Sequence, residues 1–213
     1  MSQGELVLGV DLGTTTVKVV AIRASDETLV GSWSCETEAS VSSDVGHLAS
    51  EQNVAKIISS VDTCLKSIPS NLAGVVSKIG ISGQMHGLVM WTRLAQSTDE
   101  DISPSSLFED LSGRFMRLSN LYTWQDGRCG QEFLSSLPAT ESHLRFATGF
   151  GCCTLFWLVR HEPGSVEQYR CAGTVQDLLA TMLCGLERPL MSTQNAASWG
   201  YFDTMAGSWN SEL

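Results

Sequence analysis

The chain has 213 residues, of which 43% are hydrophobic and 17% are charged, a balance that excludes a disordered or coiled-coil protein. Its formal net charge of −10 argues against nucleic acid as the main partner, because phosphate backbones select basic surfaces. Small phosphates are not excluded, since local amides and single cations hold them whatever the overall charge.

Targeting and membrane signals are not evident in the sequence. Residues 1–6 lack the basic start and long apolar stretch of a signal peptide, and no segment approaches the roughly 18 apolar residues that span a bilayer. The seven cysteines are an odd number without CxxC spacing, and neither they nor the four histidines cluster at zinc-ligand spacing. We therefore expect reduced, mostly buried thiols and a cytosolic protein that binds no membrane.

Strand and helix patterns alternate along the first half of the chain. Short apolar runs rich in β-branched residues predict strands, whereas apolar residues at helical spacing predict a helix that Pro69 ends. In chain order the predicted elements are strands Leu6–Val10, Val17–Ile22 and Leu29–Trp33, the helix Glu51–Ile68, a buried strand Val75–Ile81 and a strand Leu88–Trp91. The first three strands follow one another closely enough to form an antiparallel meander.

The second half begins with a polar, turn-rich segment, residues 92–120, which predicts a surface excursion. Beyond it the patterns predict a strand at Leu121–Trp124 and helices at Cys129–Leu137, Thr154–His161 and Asp177–Leu183. Strands, a helix and strands again indicate an α/β fold, and the meander favours a mixed sheet. No GxGxxG or GxxxxGK[ST] motif follows a strand, which excludes dinucleotide-binding and Walker-type sites.

The turn between the first two predicted strands is the strongest candidate site. Gly13 allows a ligand to approach the main chain closely, and Thr14 and Thr15 add hydroxyl donors suited to phosphate oxygens. Asp11, at the end of the first strand, suits a hydrated Mg²⁺ ion, and Lys18 is near enough to add a positive charge. The alternative is an ordinary Asp-Gly hairpin without a ligand.

A second candidate is the loop that contains Gln84, Met85 and His86, followed by Gly87. Glycines on both sides let the backbone bend sharply, so an amide, a thioether and an imidazole could face one cleft. Such a set could bind sugar hydroxyls and the apolar face of a carbon chain. The alternative is that the histidine and methionine pack in the core.

Two further segments combine polar and aromatic groups. Trp124, Asp126 and Arg128 place an aromatic wall beside a carboxylate and a guanidinium, a combination typical of polyol recognition. The alternative is a surface loop in which Asp126 and Arg128 pair with each other. Residues 194–199, rich in small and amide side chains, could line a pocket floor, but turn chemistry explains them equally well.

Taken in order, these motifs resemble the N-terminal domain of the FGGY carbohydrate kinases, members of the actin/hexokinase/Hsp70 ATPase superfamily. The motifs are Asp-x-Gly-Thr at 11–14, Gly-Gln-Met-His-Gly at 83–87 and Trp-x-Asp-Gly-Arg at 124–128, and segments 147–152 and 194–202 resemble the members that phosphorylate sedoheptulose. The resemblance implies an α/β, actin-like (ribonuclease H-like) domain with helices on both faces of the mixed sheet. An actin- or Hsp70-like ATPase would share the hairpin alone.

The resemblance also implies a reaction and roles for the motif residues. ATP and Mg²⁺ would bind at the hairpin, and the γ-phosphoryl group of ATP would pass to the terminal hydroxyl of a ketose. We expect sedoheptulose, giving sedoheptulose 7-phosphate, with xylulose as the alternative. The expected phosphate-binding residues are Asp11, Gly13, Thr14, Thr15 and Lys18, with Asp11 also on the metal, and the expected ketose-binding residues are Gln84, Met85, His86, Trp124, Asp126 and Arg128.

The chain departs from the family pattern in its length. Family members are much longer, and their catalytic aspartate lies in a Gly-Asp motif of a second domain that also holds adenine. Since no such segment follows here, we assign no catalytic base and expect residues 1–213 to form an N-terminal domain that is inactive alone. A stand-alone sugar- or phosphate-binding module is the alternative from another functional class.

Overall fold

The computed structural model describes residues 4–43, 48–93, 116–139 and 146–210. The chain forms two compact units: the first comprises Met1–Ala39 and Ala55–Gly83, and the second comprises Ser40–Val54 and Gln84–Leu213.

In chain order the strands are β1 (Leu6–Leu12), β2 (Thr16–Arg23), β3 (Leu29–Glu36), β4 (Ser40–Val41), β5 (Glu51–Gln52), β6 (Val76–Gly83), β7 (Val89–Arg93), β8 (Met116–Leu118), β9 (Leu121–Tyr122), β10 (Cys171–Gly173), β11 (Phe202–Asp203) and β12 (Ser208–Trp209). The helices are α1 (Val54–Lys66), α2 (Ser70–Ala73), α3 (Gln131–Ser135), α4 (Gly151–His161), α5 (Pro163–Val166), α6 (Val175–Leu183) and α7 (Thr193–Ala197). None of the helices in the described ranges is long and apolar enough to cross a membrane.

The first unit is built on a four-stranded sheet in the order β3-β2-β1-β6. The first three strands are antiparallel neighbours and β6 runs parallel to β1, so the predicted meander and mixed sheet are confirmed. Leu12 pairs with Val17 at the end of the first hairpin, which leaves residues 13–15 as the turn. Alternate residues of both strands are therefore fixed on opposite faces of the sheet.

One face of this sheet carries the core of the first unit. The side chains of Leu8, Val10 and Leu12 are buried on β1, as are those of Val17 and Val19 on β2. The apolar stripe of α1 supplies further buried residues, which are Ile57, Ile58, Val61 and Cys64. Burying each such aliphatic side chain stabilises the fold by about 1.5–3 kcal/mol. The opposite face of the hairpin carries Asp11 and Lys18, whose side chains are exposed.

The predicted burial of the strand at 75–81 is wrong for the described part of the chain. Residues 77–80 are all exposed, and Ile79 retains 44% of its accessible surface. The reason is position: β6 is an edge strand, and among the described residues it pairs with β1 on one side only. An apolar composition predicts a strand well, but it does not say whether anything covers that strand.

The second unit contains two three-stranded antiparallel sheets, β10-β7-β8 and β4-β5-β9, and the hairpin β11-β12. Glu51 and Gln52 pair with β9, so the helix predicted from residue 51 begins instead at Val54. Residues 94–115 of the predicted surface excursion lie outside the described residues, while its two ends form β7 and β8. One core cluster of this unit consists of Leu88, Met90, Tyr122, Leu158 and Trp199.

Candidate functional site

The hairpin turn of the first unit is held by hydrogen bonds to its backbone. The Gly13 N–H donates to Thr16 O at 3.1 Å, and a Cβ on Gly13 would lie 2.6 Å from that oxygen. The Thr37 hydroxyl donates to the carbonyls of Thr14 and Thr15 at 3.2 and 3.3 Å. The turn therefore requires glycine for close packing, and the Gly13 amide is already used within the turn.

Asp11 and Lys18 lie opposite each other in the β1–β2 ladder, and Ser82 of β6 lies opposite Asp11 on the other side. The Ser82 hydroxyl donates to Asp11 Oδ1 at 3.1 Å, and both charged side chains are exposed. A hard carboxylate oxygen in contact with solvent suits a hydrated Mg²⁺ ion, and the neighbouring ammonium suits a phosphate. The donor set at this end of the hairpin thus fits a metal–phosphate ligand.

In the second unit, His86 occupies a constrained position. Its backbone has a φ of 66°, its ring stacks on Phe150 with centroids 4.4 Å apart and planes within 4°, and Nδ1 lies 2.8 Å from Ser198 O. A carbonyl oxygen only accepts hydrogen bonds, so Nδ1 carries the proton and donates it. In the neutral ring, Nε2 is therefore the acceptor that remains available.

Loops distant in sequence meet around His86. A Cβ on Gly87 would lie 2.7 Å from Tyr122 O, so this glycine lets the loops at 84–87 and 123–128 touch. Gly149 has a φ of 80° and packs directly against the Trp124 carbonyl. The Trp199 indole N–H donates to Gly87 O at 3.2 Å. The segments quoted for the family resemblance in this unit thus lie against one another.

Two exposed side chains of this site are apolar. Met85 retains 41% of its accessible surface and Trp124 retains 48%, although both belong to well-packed loops. Gln84 is engaged differently, because its Nε2 donates to Gln52 Oε1 at 2.9 Å. An imidazole acceptor in the same group of loops as an exposed thioether and an exposed indole can contact both the hydroxyls and the C–H faces of a polyol.

Asp126 and Arg128 are buried and paired with each other. Arg128 Nε donates to Asp126 Oδ1 at 2.7 Å, and Nη2 donates to Asp126 Oδ2 at 2.9 Å and to Glu51 Oε1 at 2.6 Å. The Ser50 N–H also donates to Asp126 Oδ2, at 2.9 Å. Burial alone would lower the pKa of Arg128, but these carboxylates hold it above its ordinary value, so the charge is permanent.

Aromatic packing completes the surroundings of this pair. The Arg128 guanidinium lies 4.5 Å from the ring centroid of Tyr122, the residue that precedes the loop carrying Trp124. Asp126 has no exposed surface, so in this structure the pair stabilises the loop from the protein interior and does not face solvent. Direct contact of Asp126 and Arg128 with a ketose stays a prediction.

Sequence reasoning did not single out Phe150 or Ser198, whose contacts orient His86. Both lie in segments that the family resemblance had marked, yet Ser198 is 112 residues from His86 along the chain. Stacking and a carbonyl contact leave no spacing pattern, so only folding reveals them. Within the described ranges, no group of His, Cys, Asp and Glu residues comes together as a metal-binding cluster.

The sequence and the fold of this chain are both similar to those of known carbohydrate kinases. Residues 6–104 match the FGGY family of carbohydrate kinases, N-terminal domain, and the predicted resemblance to this family is confirmed. The solved structure of xylulose kinase from Rhodospirillum rubrum aligns with a TM-score of 0.74 at 20% identity, covering 98% of this chain and 40% of that one. At this identity the likeness shows the fold, which is the predicted actin-like ATPase fold.

The chain is also similar in sequence to curated sugar kinases. Sedoheptulokinase of Homo sapiens is 45% identical, over 100% of this chain and 45% of its own length. Sedoheptulokinase of Mus musculus is 44% identical, over 99% of this chain and 44% of its own length. The chain therefore spans less than half the length of these relatives.

Proposed function

We propose that this chain forms the N-terminal domain, over residues 1–213, of an ATP-dependent kinase that phosphorylates sedoheptulose, with xylulose as the alternative ketose. The observation that carries the proposal is the site around His86, where loops distant in sequence bring together an oriented imidazole and two exposed apolar side chains. The 45% identity to a sedoheptulokinase across the whole chain supports sedoheptulose over xylulose.

The ketose would lie against Met85 and Trp124, with one hydroxyl donating to His86 Nε2. Both apolar side chains are already exposed, so binding removes apolar surface from water at about 25 cal/mol for each Å² buried. A ketose carries C–H faces as well as hydroxyls, which matches this mixture of groups. The buried pair of Asp126 and Arg128 would support the loop and take part in binding if the loop opens.

The hairpin of the first unit would hold the phosphates of ATP. Asp11 would bind a hydrated Mg²⁺, Lys18 would add a positive charge, and the Thr14 and Thr15 hydroxyls would donate to phosphate oxygens. ATP with Mg²⁺ supplies the γ-phosphoryl group and the neutralisation of its charge. The hairpin would hold the phosphates in a fixed position, because the Thr37 hydroxyl donates hydrogen bonds to the carbonyls of its turn.

The catalytic base would come from outside these 213 residues. A base must reach the proton of the attacking hydroxyl, at about 2.6–3.2 Å or through one water. Asp126, the carboxylate of the His86 site, is fully buried, and both of its oxygens already accept from Ser50 or Arg128. It therefore does not suit that role.

A cytosolic setting is part of the proposal. All seven cysteines are free, and burial raises the pKa of Cys129, Cys152 and Cys153 to about 12. At such values almost no thiolate is present near neutral pH, so these thiols resist oxidation. Reduced, inert thiols fit the compartment in which sugar phosphates are made.

The test is calorimetric titration of the purified chain with sedoheptulose and with xylulose, combined with an assay of ketose-dependent ADP formation. We expect sedoheptulose to bind more tightly and ADP formation to be absent. Trp124→Ala should weaken binding, whereas Val159→Ala, an exposed apolar residue of α4, serves as the matched control and should not.

Each result bears on a separate part of the proposal. Failure of every ketose to bind would overturn the assignment of the His86 site. Rapid ketose-dependent ADP formation by the isolated chain would overturn the external base. Tight ketose binding, together with evidence that the natural protein contains no second kinase domain, would favour the alternative of a stand-alone sugar-binding module.

A further inference from the structure

The Ser198 carbonyl, which accepts the hydrogen bond from His86 Nδ1, lies at the end of a short, capped helix. Ser198 is the C-cap of α7, and its N–H donates to Gln194 O at 3.1 Å. Its hydroxyl donates to Asn195 O at 2.9 Å, which closes the end of the helix. The direction of this carbonyl therefore follows the position of α7 as a whole.

The first turn of α6 anchors α7 through one side chain. Asn195 is 8% exposed, and its Nδ2 donates to Asp177 Oδ1 at 3.3 Å and to Thr174 Oγ1 at 3.4 Å. Thr174 and Asp177 form the capping box that begins α6. A five-residue helix has little stability of its own, so this contact has a large share in placing it.

Both carboxylate oxygens of Asp177 accept hydrogen bonds within this anchor. Asp177 Oδ2 accepts from the Thr174 N–H and hydroxyl at 2.8 and 2.7 Å, which leaves Oδ1 to accept from Asn195. Asp177 is 4% exposed, and among the described residues no Lys or Arg forms an ion pair with it. Because Asn195 must turn its NH₂ group towards the carboxylate, the orientation of its side chain is fixed.

We propose that Asn195 and Asp177 are positioning residues that act through α7 and the Ser198 carbonyl to keep His86 protonated on Nδ1, with Nε2 open as a hydrogen-bond acceptor. The stacked Phe150 ring holds the plane of the imidazole, and the carbonyl selects its tautomer. The network thereby specifies a ligand that offers a hydroxyl proton at this point. That last step rests on the proposed function, whereas the tautomer does not.

The direct readout is the tautomer of His86, measured by long-range ¹H–¹⁵N correlation spectra of the chain labelled on its histidine rings. We expect wild-type Nε2 to show the shift of an unprotonated ring nitrogen. His161, whose Nδ1 lies 2.8 Å from Trp157 O, provides an internal reference with the same kind of hydrogen bond. The His86 signals are identified by their loss in His86→Gln.

Substitutions test whether the network controls that tautomer. In Asp177→Ala the carboxylate that accepts from Asn195 is removed, so the link breaks. In Asn195→Ala the link is lost from the other side while the capping box stays. Both variants should give a mixture of His86 tautomers, and neither should change the spectrum of His161.

A paired exchange provides the rescue. In the double variant Asp177→Asn with Asn195→Asp, the amide now lies on α6 and donates to the carboxylate on α7, so the same hydrogen bond forms with its polarity reversed. We expect the wild-type tautomer to return. Thr193→Ala, an exposed residue of α7 outside the network, is the control and should leave the tautomer unchanged.

The outcomes separate this proposal from the proposed function. A wild-type His86 tautomer in the folded single variants, or no recovery in the folded double variant, would overturn the positioning role. Ketose affinity should fall about tenfold in the single variants, by analogy with the lower end of what losing the hydrogen-bond partner of a metal-bound histidine costs. If the tautomer responds as expected but the wild-type chain binds no ketose, the positioning role of Asn195 and Asp177 is supported. The assignment of the His86 site to a ketose is then overturned.

Discussion

At the scale of single residues, the pair formed by Asp126 and Arg128 separates a structural role from a binding role. Arg128→Lys keeps the charge but loses the planar fork that joins Asp126 and Glu51. We expect the free energy of unfolding to fall by about 2–3 kcal/mol, the worth of one or two charge-assisted hydrogen bonds. Urea unfolding followed by tryptophan fluorescence measures the change.

The matched control is Arg160→Lys, since Arg160 is exposed and donates to the Ser136 hydroxyl. It should change stability far less. Equal losses in the two variants would contradict a special role for the buried pair. A loss of ketose affinity in Arg128→Lys under conditions where it is fully folded would show that this residue also contacts the ligand.

The candidate residues at this site could be predicted from the sequence, but their partners could not. The motif Trp-x-Asp-Gly-Arg places Asp126 and Arg128 two residues apart, and this spacing allows the two side chains to pair. Glu51 and Ser50 complete that pair from 77 and 76 residues away, and no local pattern connects them. Spacing identifies the groups in a site, whereas burial and distant backbone decide which remain available.

At the scale of elements, strands and helices were predicted where periodicity was strong. The strands of the first hairpin and the helices α1, α4 and α6 were found with ends shifted by a few residues. The short helix α7 was not predicted, because five residues carry too little periodicity and its position depends on Asn195. Capping by Thr174 also extends α6 two residues ahead of its predicted start at Asp177.

The capping box of α6 yields a prediction about pH. Burial raises the pKa of Asp177 above its ordinary value of 3.8, against the opposing hydrogen bonds from Thr174 and Asn195. The folded state therefore binds this proton more tightly than the unfolded state. The resulting stability is fully present below the unfolded pKa and is lost as the pH rises through the folded one.

Comparison with Asp177→Asn isolates this effect, since the variant has no titrating group at this position. The unfolding free energy of wild type minus that of the variant should increase as the pH is lowered from about 7 towards about 4. Asp203→Asn should give the opposite trend, chiefly as the pH falls below about 4, because hydrogen bonds from the Ala206 and Met205 amides lower the pKa of Asp203 from 3.8. Urea unfolding across this range and below it measures both, and parallel trends would contradict the sign.

At the scale of the whole molecule, a ligand that binds only the folded chain must stabilise it, by about 2.7 kcal/mol at a hundred times its dissociation constant. For a chain of this size that corresponds to a rise in Tm of about 5–10 °C. Five of the six tryptophans lie in the second unit, which contains the His86 site, so tryptophan fluorescence follows the relevant transition. We expect sedoheptulose to raise this Tm more than xylulose does.

Because the chain has a net charge of −10, the salt dependence of Tm distinguishes an uncharged ligand from a charged one. A ketose is uncharged, so its effect on Tm should persist when salt is raised from about 0.1 M to about 1 M, although the Debye length falls from about 10 Å to about 3 Å. A phosphate ligand held by Lys18 should lose much of its effect over the same range. Salt-sensitive stabilisation by the sugar, or an undiminished rise in Tm for Trp124→Ala, would contradict a ketose site built on exposed apolar side chains and one imidazole acceptor.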